Sequence, residues 1–146
     1  MYEHILVPTD GSEGSERAVA EAIGLAQTFG ATIHAVYVVD AASIPSGIDA
    51  SMTYDALEEY GEEVLEDVAE RAREADVEVE TEVVSGSPHA AIVDYAESHD
   101  VDLVVMGTHG RRGLDRYLLG SVTEKVVRTS PAPVLTVRLS PGEASD

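Results

Sequence analysis

Short apolar runs alternate with amphipathic segments along the whole chain. Runs rich in valine, isoleucine and leucine predict buried strands, whereas apolar positions repeating every three to four residues predict helices. The predicted strands are His4–Pro8, Thr32–Val39, Val77–Val84, Asp102–Met106 and Pro133–Arg138. Helices are predicted from Ser12 to Gly30, from Tyr54 to Ala75, after Ser87-Pro88, and from Ser121 to Arg128. Val77–Val84 alternates valine with glutamate or threonine, which is typical of an edge strand.

Five strands alternating with four helices indicate an α/β fold, a doubly wound parallel sheet with helices on both faces. A length of 146 residues suits one domain, which we place at residues 1–139. The polar tail 140–146 is expected to be flexible, and residues 40–54 to form a loop.

Glycines cluster where the fourth strand leads to the last helix. Gly107 ends the apolar run, Gly110 follows, and Gly120-Ser121 opens the helix. A glycine lets backbone N–H groups approach a ligand and permits positive φ, which Gly120 is expected to use. Strand, glycine loop and helix N-terminus together favour phosphate binding. A structural alternative remains open, because Ser121 with Glu124 also forms a capping-box pattern that needs no ligand.

Charge supports an anion site. The chain carries 28 acidic and nine basic residues, a net charge of −19, yet residues 111–128 hold five bases against two acids. Such an excess of acid, with a single lysine, indicates a protein adapted to a salty, halophilic cytoplasm. It argues against nucleic acid as a partner, and the absence of any apolar run of roughly 20 residues argues against a membrane. The chain contains no cysteine and starts directly on a strand, without an export signal, which predicts a cytoplasmic protein.

The pattern Gly107-x2-Gly110-x9-Gly120-Ser121 resembles the nucleotide-binding signature of the universal stress protein family. The segments HILVPTDGSEGSERAVAEAIGLA, IHAVYVVD, SGSPHAAIVDYA and SPAPVLTVR resemble other parts of that family, so nearly the whole chain is covered. The resemblance implies a Rossmann-like sheet in the order 3-2-1-4-5, similar to the adenine nucleotide alpha hydrolases. It also implies a homodimer formed through the last strand, Pro133–Arg138.

The resemblance assigns roles to residues at the carboxyl ends of the strands, where ligands of such sheets bind. Asp10 would bind the ribose, the Val38 backbone the adenine edge, and Pro8 and Met106 would form the walls of the base pocket. The remaining expected nucleotide-binding residues are Thr9, Gly107, His109, Gly110, Arg111, Gly120, Ser121, Val122 and Thr123. His89 and Asp94 are expected to be surface residues of the third helix.

The expected ligand is ATP, or AMP or ADP, with Mg²⁺ held mainly by phosphate oxygens and helped by Asp10. The residues show no Walker sequence, no pairing of nucleophile and base, and no histidine spacing typical of a metal site. The leading hypothesis is therefore an ATP-binding stress-response protein that senses nucleotide as a homodimer, without catalytic residues. Two alternatives stay open: a slow ATPase or phosphotransfer enzyme using the same pocket, and a nucleotide-free interaction module.

Overall fold

A computed structural model describes residues 2–40, 50–108 and 120–138. Nine elements follow one another within these ranges: β1 (His4–Pro8), α1 (Glu13–Phe29), β2 (Thr32–Val39), α2 (Ala50–Glu74), β3 (Val79–Ser85), α3 (Pro88–Ser98), β4 (Leu103–Gly107), α4 (Ser121–Thr129) and β5 (Val134–Val137). Each predicted strand and helix is present. The expected loop 40–54 is wrong at its end, because α2 begins at Ala50, and residues 41–49 lie outside the described residues. The tail 140–146 lies outside them too.

The strands form one parallel sheet in the order β3-β2-β1-β4-β5, which confirms the predicted α/β fold. The order reverses between β1 and β4, which pair through Ile5 with Leu103 and Leu6 with Val104. The alternating segment is indeed an edge strand, β3. In sheets of this kind, such a reversal leaves a crevice at the carboxyl ends of the two strands beside it, here β1 and β4.

Alternation along the strands gives the sheet two apolar faces. On β1, Ile5 and Val7 pack with α1 and α2, whereas Leu6 points to the opposite face with α3 and α4. Burial on both faces explains why the central strands are continuously apolar.

Local capping fixes where α1 starts and ends. The Ser12 side chain accepts a hydrogen bond from the Ser15 N–H at 3.3 Å, as an N-cap residue does. Gly30 ends the helix in the left-handed conformation, at φ 68°. The start of α1 is thereby fixed directly after the end of β1.

No helix in the described ranges is long and apolar enough to cross a membrane. The same ranges contain no group of three or more histidine or acidic residues placed to hold a metal ion.

Candidate functional site

A cleft of about 590 Å³ lies at the carboxyl ends of the strands, at the point where the strand order reverses. Its lining comes from β1, β2 and β4 and from the first turns of α1, α3 and α4. The lining residues are Pro8, Thr9, Asp10, Ser15, Val36, Val38, Asp40, Ser87, Pro88, His89, Ile92, Met106, Gly107, Gly120, Ser121, Val122, Thr123 and Lys125. The structure thus brings together all ten predicted site residues that lie within the described ranges. His109, Gly110 and Arg111 lie outside the described residues.

The turn after β1 is held by hydrogen bonds among short polar side chains. The Thr9 N–H donates to the Val36 carbonyl at 2.9 Å, and its buried hydroxyl donates to Ser15 Oγ at 3.0 Å. Asp10 Oδ1 accepts a hydrogen bond from the Ser12 N–H at 2.9 Å. Asp10 therefore shapes the turn before α1 and also lines the cleft. These two roles need not compete, because a carboxylate can accept several hydrogen bonds at once.

Close backbone packing explains the glycine at the end of β4. A Cβ on Gly107 would lie 2.7 Å from the carbonyl oxygen of Gly14, which is backbone in the first turn of α1. On the other side, the Gly107 carbonyl accepts a hydrogen bond from the Thr123 hydroxyl at 2.9 Å. This glycine therefore joins α1, β4 and α4 at the floor of the cleft. The Thr123 hydroxyl, expected to reach phosphate, is buried and donates to this carbonyl.

The N-terminus of α4 opens onto the cleft. Gly120 is its N-cap residue, and no side chain caps the helix. The capping-box interpretation is therefore wrong, because Ser121 is the first helical residue and not the cap. The expected positive φ of Gly120 is also wrong, since its φ is −63° and its ψ is 155°. The first N–H groups of a helix have no intrahelical partner, so those of Ser121 and the two following residues can bind a ligand.

The two flanks of the glycine segment are tied together. The Gly120 N–H donates to the Thr108 carbonyl at 2.8 Å, and the Thr108 N–H donates to the Val137 carbonyl at 3.0 Å. Thr108 and Gly120, which flank the glycine segment, thus lie side by side, and Gly120 lines the cleft.

Sequence reasoning missed several lining residues, among them Ser15, Asp40 and Lys125. Asp40 directly follows β2, a position that could have been included, since carboxyl ends of neighbouring strands meet at one edge of the sheet. Lys125 lies four residues after Ser121 and so on the same helix face. His89, expected on the helix surface, lines the cleft as well, whereas the exposed Asp94 does not.

Chemically, the cleft combines apolar walls with a few polar groups at its ends, an arrangement typical of small-ligand sites. Val36, Val38, Ile92 and Met106 provide the apolar surface. Carboxylates follow β1 and β2, and the open N-terminus of α4 lines the same cleft. The arrangement suits a molecule with an apolar ring at one end and an anionic group at the other.

The family model for universal stress proteins matches residues 1–138 of the chain. The chain belongs to the universal stress protein family. A universal stress protein of Methanocaldococcus jannaschii is 41% identical over 141 residues, which covers 94% of this chain and 83% of that protein. The assignment confirms the resemblance seen in the sequence.

Solved structures of universal stress proteins share the fold. UspA from Lactobacillus plantarum is 32% identical, covers 94% of this chain and 98% of its own, and superimposes with a TM-score of 0.86. A universal stress protein solved in complex with cAMP is 29% identical, covers 93% of this chain and 97% of its own, and has a TM-score of 0.72. Adenine nucleotide binding thus occurs within the family.

Proposed function

We propose that this universal stress protein binds ATP in the cleft at the strand reversal and acts as a nucleotide-sensing switch in the stress response. The observation that carries the proposal is the uncapped N-terminus of α4, which lines the same cleft as the carboxylate-bearing turn after β1. The complex of a related universal stress protein with cAMP supports an adenine nucleotide as the ligand class.

The lining suggests how the nucleotide would lie. Val38 and Met106 offer apolar surface for the adenine, beside Pro8. Asp10, which directly follows β1 and lines the cleft, would accept hydrogen bonds from the ribose hydroxyls. Phosphate would take the open N–H groups of Ser121 and Val122, where the helix dipole favours negative charge. Mg²⁺ would accompany the phosphates and neutralise part of their charge.

The proposed switch acts as a homodimer through β5. Among the described residues, β5 is the edge strand beside β4, and its Leu135 side chain is 38% exposed. An exposed apolar edge strand favours pairing with a second chain about a two-fold axis. Sedimentation in molar salt checks this, and a monomer at micromolar concentration would contradict it.

We further propose that the protein works in the concentrated salt of a halophile's cytoplasm. Nine acidic residues crowd α2, namely Asp55, Glu58, Glu59, Glu62, Glu63, Glu66, Asp67, Glu70 and Glu74. Only Arg71 and Arg73 oppose them within the helix, and Arg71 pairs with Glu16 of α1. Repulsion between like charges three or four residues apart is screened at high ionic strength. Raising KCl to molar concentration should therefore raise the melting temperature.

The substitution Gly120→Val tests the nucleotide site. Gly120 has an extended backbone that any residue can adopt, so the variant should fold. The valine side chain would block phosphate from the N-terminus of α4. We expect ATP affinity, measured by calorimetry, to fall by about a hundredfold, equivalent to about 2.7 kcal/mol.

Gly24→Val is the matched control, because a Cβ at Gly24 on α1 meets no atom within 4 Å. It should leave ATP affinity unchanged. Equal affinity in Gly120→Val and the wild type would contradict the phosphate assignment. Mass spectrometry of ligand released from the purified protein checks the identity of the nucleotide directly. In a steady-state ATPase assay, we expect a switch to show turnover no higher than a buffer blank.

A further inference from the structure

The chain's single lysine lies in the cleft. Lys125 is the fifth residue of α4 and lines the cleft beside Ser121 and Val122. Because residues four apart share a helix face, its side chain extends from the face that carries Ser121, one turn farther along. One helical turn rises about 5.4 Å, which is the separation along the helix axis between the Ser121 and Lys125 backbones.

Among the described residues, the acidic side chain beside Lys125 is paired with another cation. Its adjacent acid, Glu124, accepts a hydrogen bond from Arg128 at 2.6 Å, an ion pair along the same helix. Across residues 2–40, 50–108 and 120–138, Lys125 itself makes no ion pair with an acidic side chain. In a chain with net charge −19, an ammonium group beside a cleft that pairs with no acidic side chain of the described ranges attracts an anionic ligand.

The remaining charges give the cleft a polarity. The carboxylates in the lining, Asp10 and Asp40, follow β1 and β2, whereas Lys125 lies on α4. His89, on α3, also lines the cleft. A polyanionic group is therefore repelled from the strand side and attracted toward α4.

From this arrangement we infer that Lys125 selects nucleotides with a longer phosphate chain, because its ammonium contacts phosphate beyond the group seated on the α4 amides. The inference rests on the proposed nucleotide site and names its preferred ligand class, nucleoside triphosphate over monophosphate. A monophosphate seated on the amides would make the helix contact and little contact with Lys125. A lysine acts here as a point charge for phosphate, so an arginine can replace its charge.

The test compares ATP and AMP affinities of the wild type, Lys125→Gln and Lys125→Arg by calorimetry at pH 8, in EDTA and at fixed ionic strength. For Lys125→Gln we expect ATP affinity to fall about tenfold and AMP affinity to change by less than about twofold. Lys125→Arg should keep most of the preference for ATP. Arg128→Gln is the matched control, since it removes one exposed cation three residues along α4 that does not line the cleft.

The ratio of the two affinities separates this role from a structural one, because a distorted helix would weaken both nucleotides equally. An unchanged ratio in Lys125→Gln, with ATP and AMP still bound by the wild type, would overturn the inference and leave the nucleotide site standing. A wild type that binds neither nucleotide would overturn both.

Discussion

The two ends of the parallel sheet have opposite characters. At the carboxyl ends, β1, β2 and β4 finish in Pro8, Val39 and Gly107, around an open cleft of about 590 Å³. Near the amino ends, the histidines of β1 and β2 form a closed hydrogen-bonded cluster with α3. His34 is 3% exposed, its Nε2 lies 3.1 Å from His4 Nδ1, and its Nδ1 lies 2.8 Å from the Tyr95 hydroxyl.

The closed end keeps its polar groups paired. His99, at the end of α3, stacks on the Tyr95 ring with 3.7 Å between centroids. Asp102, before β4, accepts hydrogen bonds from the N–H groups of Glu3 and His4 at 2.9 Å, and these bonds lower the pKa of its carboxyl. Because an unpaired buried polar group is costly, this pairing stabilises the sheet. The difference teaches that one end of the fold pairs its polar groups internally, while the other leaves the first N–H groups of α4 uncapped at a cleft. Substitutions at the two ends should therefore have separable effects on stability and binding.

The largest effect is expected from Gly107→Ala, which should change both stability and binding. Gly107→Ala places a methyl group 2.7 Å from the Gly14 carbonyl oxygen, so β4 and α1 must move apart at the floor of the cleft. We expect a loss of about 2–3 kcal/mol in the free energy of unfolding, together with weaker ATP binding. Urea denaturation and calorimetry measure the two quantities.

Gly24→Ala is the control for the same chemical change. The site on α1 is exposed and open, so the added methyl group should stabilise the helix by about 0.5–1 kcal/mol without affecting ATP. We expect Gly107→Ala to lower the free energy of unfolding and Gly24→Ala to raise it. A Gly107→Ala variant as stable as the wild type would show that the β4–α1 contact is not tight.

A smaller effect is expected from the closed end. Tyr95→Phe removes the hydroxyl that pairs with His34 Nδ1 and leaves that buried nitrogen without its partner. We expect the free energy of unfolding to fall by about 1–2 kcal/mol while ATP affinity stays the same. Tyr2→Phe is the control, because Tyr2 is only half-buried against Phe29 and should change stability by less than about 0.5 kcal/mol. If Tyr95→Phe weakened ATP binding as strongly as stability, the two ends would not be separable.

The same contrast explains what could be predicted from the sequence. The strands and helices were predictable because burial on both faces demands continuous apolar runs, as in Thr32–Val39, and because Ser12 and Gly30 mark the ends of α1. The order of the strands and the roles at the cleft came from the family resemblance, since periodicity contains no information on which strands are neighbours.

Other features depend on tertiary contacts that no local pattern encodes. The scattered positions of His4, His34 and His99 gave no sign that the fold gathers them around Tyr95. The N-cap residue of α4 is Gly120, one residue before the predicted Ser121. The Gly120 N–H donates to the Thr108 carbonyl and fixes the chain before the helix. Lys125 is recognisable as a cleft residue only once α4 is placed against the ends of β1 and β4.

The last prediction concerns pH and the closed end. Burial lowers the pKa of His34, and His4 and His99 lower it further, while Glu80 on β3 acts in the opposite direction. Burial raises the pKa of Tyr95 to about 12, with Glu82 and Glu80 adding to the shift, so its hydroxyl stays protonated. The facing nitrogens of His4 and His34 can share one proton, but two would set one N–H against another.

The sign of the effect follows from proton binding. Below pH 6.5 the unfolded chain protonates His34, whereas the folded chain resists until a lower pH, so the unfolded state binds more protons in that window. The free energy of unfolding should therefore be fully retained above pH 6.5 and decline as the pH falls below it. The loss from Asp102 comes separately, below its ordinary value of 3.8. Urea denaturation of wild type and His34→Gln between pH 7.5 and 5 measures this, and an equally steep decline in the variant would assign the acid sensitivity to other groups.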